Sequence, residues 1–342
     1  MPIRFPAPLR PGDRVGVTSP SSGVPPPLRA RLDCAVRAVM DRGYEVVIGD
    51  CMDGTSHVSA PAPARAAELM AMLTDPSIRA VVPPWGGETA IDLLPLLDWA
   101  AVAAAEPTWL VGFSDISTLM VPMTLATGIA TLHGNNLMDT PYRVPGDLLR
   151  WLDIVALPPG TSFTQSSPGR YRAGPFDDWE HHPAISDMRL DGAGSWTRLD
   201  GDGAVDVTGR LIGGCIETIS HLCGSPAGDV AKFAARHAPD GLIVYVEAAG
   251  DDAFTICRSL HGMRLAGFFA AARAVLVGRA APSASATMTQ HEAVTDALGS
   301  LGVPVIADVE CGHVPPYLPL VIGALARVRL DSGTAAITQT LA

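Results

Sequence analysis

A serine can open an acyl bond when its hydroxyl stands clear of the backbone and a base is at hand. Ser114 occupies such a position in the run Trp109-Leu110-Val111-Gly112-Phe113-Ser114-Asp115-Ile116-Ser117. The apolar residues predict a strand running into Gly112, and the residues from Asp115 to about Ala126 predict a helix. A serine on so sharp a strand-to-helix turn has its hydroxyl pushed outward at a helix N-terminus. Free N–H groups and the helix dipole there favour a developing negative charge. The pattern is G-x-S-D rather than G-x-S-x-G, and Ser114 or Asp115 would equally serve as a cap for the helix.

Three further segments carry candidate chemistry. Trp85-Gly86-Gly87 reads as a tight turn between a strand and a helix. Glycines there let backbone N–H groups face a ligand, as an oxyanion hole requires, though an ordinary turn has the same composition. Glu247 ends the apolar strand Leu242-Ile243-Val244-Tyr245-Val246, close to Gly250. That is the usual edge for a site in an α/β sheet, and it is also where an exposed loop acid would fall. His313 follows Cys311-Gly312 and precedes Val314-Pro315-Pro316, just past another strand; alone it is a loop histidine. Taken together the residues complement one another. A serine hydroxyl needs a base, best matched by histidine, and the histidine needs an acid to hold its tautomer and stabilise its charged form. Ser114, His313 and Glu247 supply those roles, each at the end of an element.

The elements that must position them alternate strand and helix through the first half. Strands are predicted at 14–19, 44–48, 78–82 and 110–113, and helices at 27–42, 62–73 and about 88–94. Repeated units of this kind imply an α/β fold with a largely parallel sheet covered on both faces. The stretch 158–183, rich in Pro, Gly, Ser and Asp, reads as a linker, with order resuming near Trp196. Strands then follow at 242–247, 274–277 and 303–308, and helices at 217–222 and 291–301. The predicted division is residues 1–157, the linker 158–183, and residues 184–342.

At 342 residues, 48% hydrophobic and 17% charged, the chain can bury a large core. Its net charge of −11, without a basic patch, argues against nucleic acid as a partner. No uncharged run of 18 apolar residues points to a membrane span, and no apolar leader is visible at the N-terminus. The six cysteines form no C-x-x-C pair and read as free thiols of a cytoplasmic protein. No metal-ligand spacing is present, since His291-Glu292 lacks the second histidine of H-E-x-x-H.

On these residues the chain resembles the LD-carboxypeptidase family of serine peptidases, which includes muramoyl-tetrapeptide carboxypeptidases and microcin C immunity proteins. The matching blocks are Gly86-Gly87-Glu88 with Leu93-Leu94-Pro95-Leu96-Leu97-Asp98, Gly112-Phe113-Ser114-Asp115-Ile116, Thr127 through Gly134, Gly209 through Gly214, the Glu247 strand, and Gly312-His313 with Pro316 and Pro319. The resemblance implies a triad Ser114–Glu247–His313 and an oxyanion hole of backbone N–H groups at Gly87 and Asp115. It implies an N-terminal α/β domain carrying the nucleophile, a β-rich C-terminal α/β domain, a site between them, a homodimer, and neither metal nor cofactor. The turn reads G-G-E, associated with the immunity-like branch, rather than the G-G-Y-G of the cell-wall branch. Gly86 and Glu88 of that turn, and Cys215 and Glu217 just after Gly213-Gly214, are expected near the substrate, with Cys215 standing where asparagine is common. Trp196 first, and Trp179 second, would stack on a nucleobase of an aminoacyl-nucleotide-like substrate. Both indoles also fit a core role. The alternatives are a tetrapeptide carboxypeptidase of cell-wall recycling and a binding protein that sequesters such a ligand without turnover.

Overall fold

The computed structural model describes residues 2–280 and 285–342. The first half builds the alternation read from sequence: β1 (Arg14–Val17), α1 (Arg29–Met40), β2 (Glu45–Ile48), α2 (Ala62–Thr74), β3 (Ile78–Val81), α3 (Trp99–Ala104), β4 (Trp109–Gly112), α4 (Ser117–Thr127), β5 (Thr131–His133) and α5 (Trp151–Ile154). These five strands are parallel, in the order β5-β4-β3-β1-β2. The strands that carry the site edge, β3 and β4, are almost wholly buried: β4 is an unbroken apolar run and β3 is interrupted only by the half-buried Arg79, as suits a sheet covered on both faces. The helix expected at 88–94 is instead a 3-10 turn, Ala90–Leu96, with Pro95 inside it. Proline has no N–H to give to an α-helical ladder.

The stretch read as a linker is only partly one. It contributes β6 (Ser162–Ser166), paired with the far C-terminus, and β7 (Arg170–Tyr171), paired with β8 (Gly192–Ala193). The chain continues with β9 (Thr197–Arg198), β10 (Val205–Cys215), α6 (Ile216–Ile219), α7 (Val230–His237), β11 (Leu242–Glu247), α8 (Ala253–Leu265), β12 (Ala272–Gly278), α9 (Gln290–Leu298), β13 (Val305–Val309), β14 (Leu320–Ile322), β15 (Leu325–Asp331) and β16 (Thr334–Thr340). The second sheet runs β6-β16-β15-β10-β11-β12-β13-β9, parallel from β10 to β13 and antiparallel outside. This is the two-domain α/β architecture anticipated. One element crosses over: β14 leaves the second half to pair antiparallel with β5 of the first sheet.

The two sheets meet at α4. Its residues from Ser117 to Thr124 are all buried, so the helix has no polar face to offer water. It packs against β10 because position 214 is glycine: a Cβ on Gly214 would lie 2.7 Å from the Ser117 Cβ. Across that contact the Cys215 N–H donates to Ser117 Oγ at 3.2 Å. The helix behind Ser114 is thereby fixed to the strand leading to Cys215. No helix among the described residues is long and apolar enough to cross a membrane.

Candidate active site

Ser114 has φ 62°, a left-handed conformation that costs a non-glycine residue free energy. Neither Ser114 nor Asp115 caps the helix; no side chain caps either the 3-10 turn that begins at Ser114 or α4. The Asp115 carboxylate is spent on tying three segments together. It accepts from Ser21 Oγ at 2.6 Å, from the Ala90 N–H at 2.8 Å and from Thr118 Oγ1 at 3.1 Å. The Gly86-Gly87 turn is thus pinned beside the Ser114 turn. Gly86 permits the approach: a Cβ there would stand 2.9 Å from both Cβ and Oγ of Ser114 and 3.0 Å from the Asp115 nitrogen.

Glu247, at the end of β11, is wholly buried, and its Oε2 accepts from His313 Nδ1 at 2.7 Å. Two glycines make room for the carboxylate. A Cβ on Gly278 or on Gly312 would lie 2.6 Å from the Glu247 Cβ, and that on Gly312 would lie 2.3 Å from Oε2. The second oxygen, Oε1, stands 3.7 Å from Nε2 of the buried His133, in ion-pair range but too far for a hydrogen bond. Burial alone would push the Glu247 carboxyl up; the facing His313 and His133 outweigh it and hold it well below the ordinary carboxylate range. For His313 burial would lower the imidazole, and the Glu247 carboxylate overrides it, so its pKa is raised. Phe113 packs against the His313 ring, centroids 4.9 Å apart.

A base must be neutral to accept a proton. With His313 as the candidate base, its raised pKa would move the acid limb of kcat/KM above the pH of about 6.5 at which a free imidazole titrates. We expect that limb above 6.5 in the wild type and shifted downward in Glu247→Gln, measured as kcat/KM against pH. A limb unmoved by the substitution would contradict the coupling.

Ser114 and His313 line one cavity of about 360 Å³, together with Gly86, Gly87, Phe113 and Trp179. They face it without a hydrogen bond between them; such contacts commonly tighten when substrate binds. Trp179 occupies the place expected first of Trp196. Its indole N–H donates to Tyr142 Oη at 2.8 Å, and the Arg31 guanidinium lies 4.8 Å from the centroids of both rings. Arg31, fully buried, also donates to the carbonyls of Met138, Pro183 and Ile185, anchoring the middle segment on the first domain. Trp196 is instead buried, its indole N–H donating to Glu310 Oε2 at 2.6 Å, and it does not line the cavity. Glu88 also falls outside the cavity lining, exposed on the surface.

Cys215 and Glu217 sit close by. The Cys215 sulphur, a Glu247 carboxylate oxygen and a His313 ring nitrogen lie within 4.8 Å of one another, a donor set that could also hold a metal ion. Cys215 donates to Glu217 Oε2 at 3.2 Å, while Glu217 Oε1 gathers the N–H groups of Ala249, Gly250 and Asp251. Glu217 therefore shapes the loop after Glu247. Burial pushes the Cys215 thiol well up, which keeps it neutral. Sequence reasoning assigned no role to Asp139 and Arg172, which also line the cavity. The Asp139 carboxyl is pushed up to about 7 by burial, against the pull of Arg31, Arg172 and His313. Nor did it give one to His133, although its block, Thr127 through Gly134, was among those noted.

The LD-carboxypeptidase N-terminal domain matches residues 15–134 and the LD-carboxypeptidase C-terminal domain matches residues 208–328. The chain belongs to the LD-carboxypeptidase family and is by class a serine carboxypeptidase. Among its relatives, a Streptomyces coelicolor protein named as a carboxypeptidase is 28% identical over 96% of this chain and 94% of its own length. The microcin C7 self-immunity protein MccF of Escherichia coli is 24% identical over 97% of this chain and 95% of its own. The murein tetrapeptide carboxypeptidase of Pseudomonas aeruginosa is 26% identical over 72% of this chain and 70% of its own. The structure of MccF in complex with glutamyl sulfamoyl guanosine shares the fold with a TM-score of 0.81, at 22% identity over 98% of both chains.

Proposed function

We propose that this protein hydrolyses an amide bond in a small peptide-like or aminoacyl-nucleotide-like molecule, in a self-immunity or detoxification role. Ser114 Oγ attacks the scissile carbonyl while His313 takes its proton. The Gly87 and Asp115 N–H groups stabilise the oxyanion. His313 then protonates the leaving amine as the C–N bond breaks, and water, activated by the same imidazole, releases the acyl group from Ser114. Glu247 keeps Nδ1 of His313 as the donor, which leaves Nε2 as the base. The observation that carries this reading is the 2.7 Å Glu247–His313 bond beside a serine in a left-handed turn on the same cavity. The enzyme works in the cytoplasm as a homodimer, as the family resemblance implies, with residues 1–157 as its first domain, 184–342 as its second, and the intervening 158–183 lending β6 to the second sheet.

The nucleotide-like substrate is favoured by Trp179, whose ring lines the cavity. Aromatic–base stacking contributes about 1–3 kcal/mol, so Trp179→Ala should raise KM for an aminoacyl sulfamoyl adenosine about 5- to 150-fold with a smaller effect on kcat. Trp179→Phe should recover most of the loss. The measurement is KM for that compound and for muramoyl tetrapeptide in each variant. Efficient wild-type turnover of the tetrapeptide, with none of the nucleotide, would assign the enzyme to cell-wall recycling instead.

A further inference from the structure

Away from the cavity, a second set of metal-type donors joins two helices. Cys257 and His261 stand four residues apart on α8, so both project from one face, and Asp296 reaches them from α9. The Cys257 sulphur, a ring nitrogen of His261 and an Asp296 carboxylate oxygen all lie within 4.8 Å of one another. A single atom, Asp296 Oδ2, accepts from Cys257 Sγ at 3.4 Å and from His261 Nε2 at 2.8 Å. The thiol and imidazole are half-buried to exposed and the carboxylate is exposed, leaving an entry path.

We propose that Cys257, His261 and Asp296 form a Zn²⁺ site that ties α8 to α9. One sulphur, one imidazole nitrogen and one carboxylate oxygen are a donor set suited to a borderline-soft ion, and three protein ligands leave a fourth, tetrahedral position for water. The spacing fits: donors bound at 2.0–2.3 Å around one ion stand roughly 3–4 Å apart, so the present contacts need to change by only about 1 Å. Binding displaces the thiol proton to solvent and replaces two hydrogen bonds with three bonds to the metal. Cys257 and Asp296 are separated by 39 residues, so the ion closes a long loop of the unfolded chain. That loop contains β12, the neighbour of the strand that ends at Glu247.

The test is calorimetric titration of Zn²⁺ into chelator-treated, reduced full-length protein, with Co²⁺ as a spectroscopic substitute. We expect one equivalent to bind, a thiolate-to-cobalt charge-transfer band, and a thermal midpoint that rises with added Zn²⁺. Loss of a mere hydrogen-bond partner of a ligand weakens metal sites about 10- to 100-fold, so Cys257→Ser and His261→Ala should each weaken binding at least about tenfold. Cys257→Ser should also abolish the cobalt band. Cys215→Ser should change neither. Absence of saturable binding, or binding and a cobalt band that survive Cys257→Ser, would overturn the proposal. So would their loss in Cys215→Ser alone, which would place the ion at Cys215, Glu247 and His313.

Discussion

Ser114→Ala should leave a folded protein whose amide hydrolysis has fallen about 10⁴- to 10⁶-fold. The expected loss is this large because in the proposed mechanism the residues act as a unit: without the oxygen nucleophile, the His313–Glu247 pair has no proton to collect and the oxyanion site has no acyl adduct to stabilise. The substitution removes one hydroxyl and keeps the Cβ, and alanine bears the left-handed φ at position 114 no worse than serine. The thermal midpoint should therefore stay close to wild type, which separates lost chemistry from lost fold. A variant that kept a tenth of wild-type turnover would remove Ser114 from the nucleophile's role.

Glu247→Gln should lower kcat about 10⁴-fold. Glutamine has nearly the same shape and fills the space left by Gly278 and Gly312. What it lacks is the charge. In the proposed mechanism the carboxylate holds His313 with its proton on Nδ1 and stabilises the imidazolium that forms as Ser114 attacks. A neutral amide does the second poorly, and its NH₂, if turned toward His313, forces the proton onto Nε2, where a base is needed. The variant should fold, because glutamine keeps the shape and His313, no longer held protonated by a carboxylate, can sit beside it as a neutral imidazole rather than as an unpaired buried charge. Measured kcat within tenfold of wild type would show that Glu247 merely packs.

The sequence made the strands around the site easy to read and the contacts between distant segments hard. Strands such as β4 and β11 are buried on both faces, so their apolar runs stand out, and the residues ending them fall at the edge where α/β sites form. Other elements left signals that were not used. In α8 the apolar Ala253, Ile256, Leu260 and Met263 fall on one face behind Asp252, whose side chain accepts from Phe254 and Thr255 N–H groups. In β15, buried Ala326 and Val328 alternate with exposed Arg327 and Arg329. The approach of His133 to Glu247 had no local signal, because the two come from different sheets. The choice between the two tryptophans was equally illegible. Trp196 is claimed by Glu310, and Trp179 is held at the cavity by Arg31 of α1, a residue far upstream.

The most direct test is a crystal structure of Ser114→Ala soaked with an uncleaved aminoacyl sulfamoyl adenosine and, separately, with muramoyl tetrapeptide. The quantity to measure is the distance from the scissile carbonyl carbon to the site of the missing hydroxyl. The account predicts about 3–3.5 Å for the nucleotide compound, with its carbonyl oxygen toward the Gly87 and Asp115 N–H groups, His313 beside the leaving nitrogen, and the base on Trp179. A scissile carbonyl bound away from position 114, or facing neither N–H group nor His313, would contradict it.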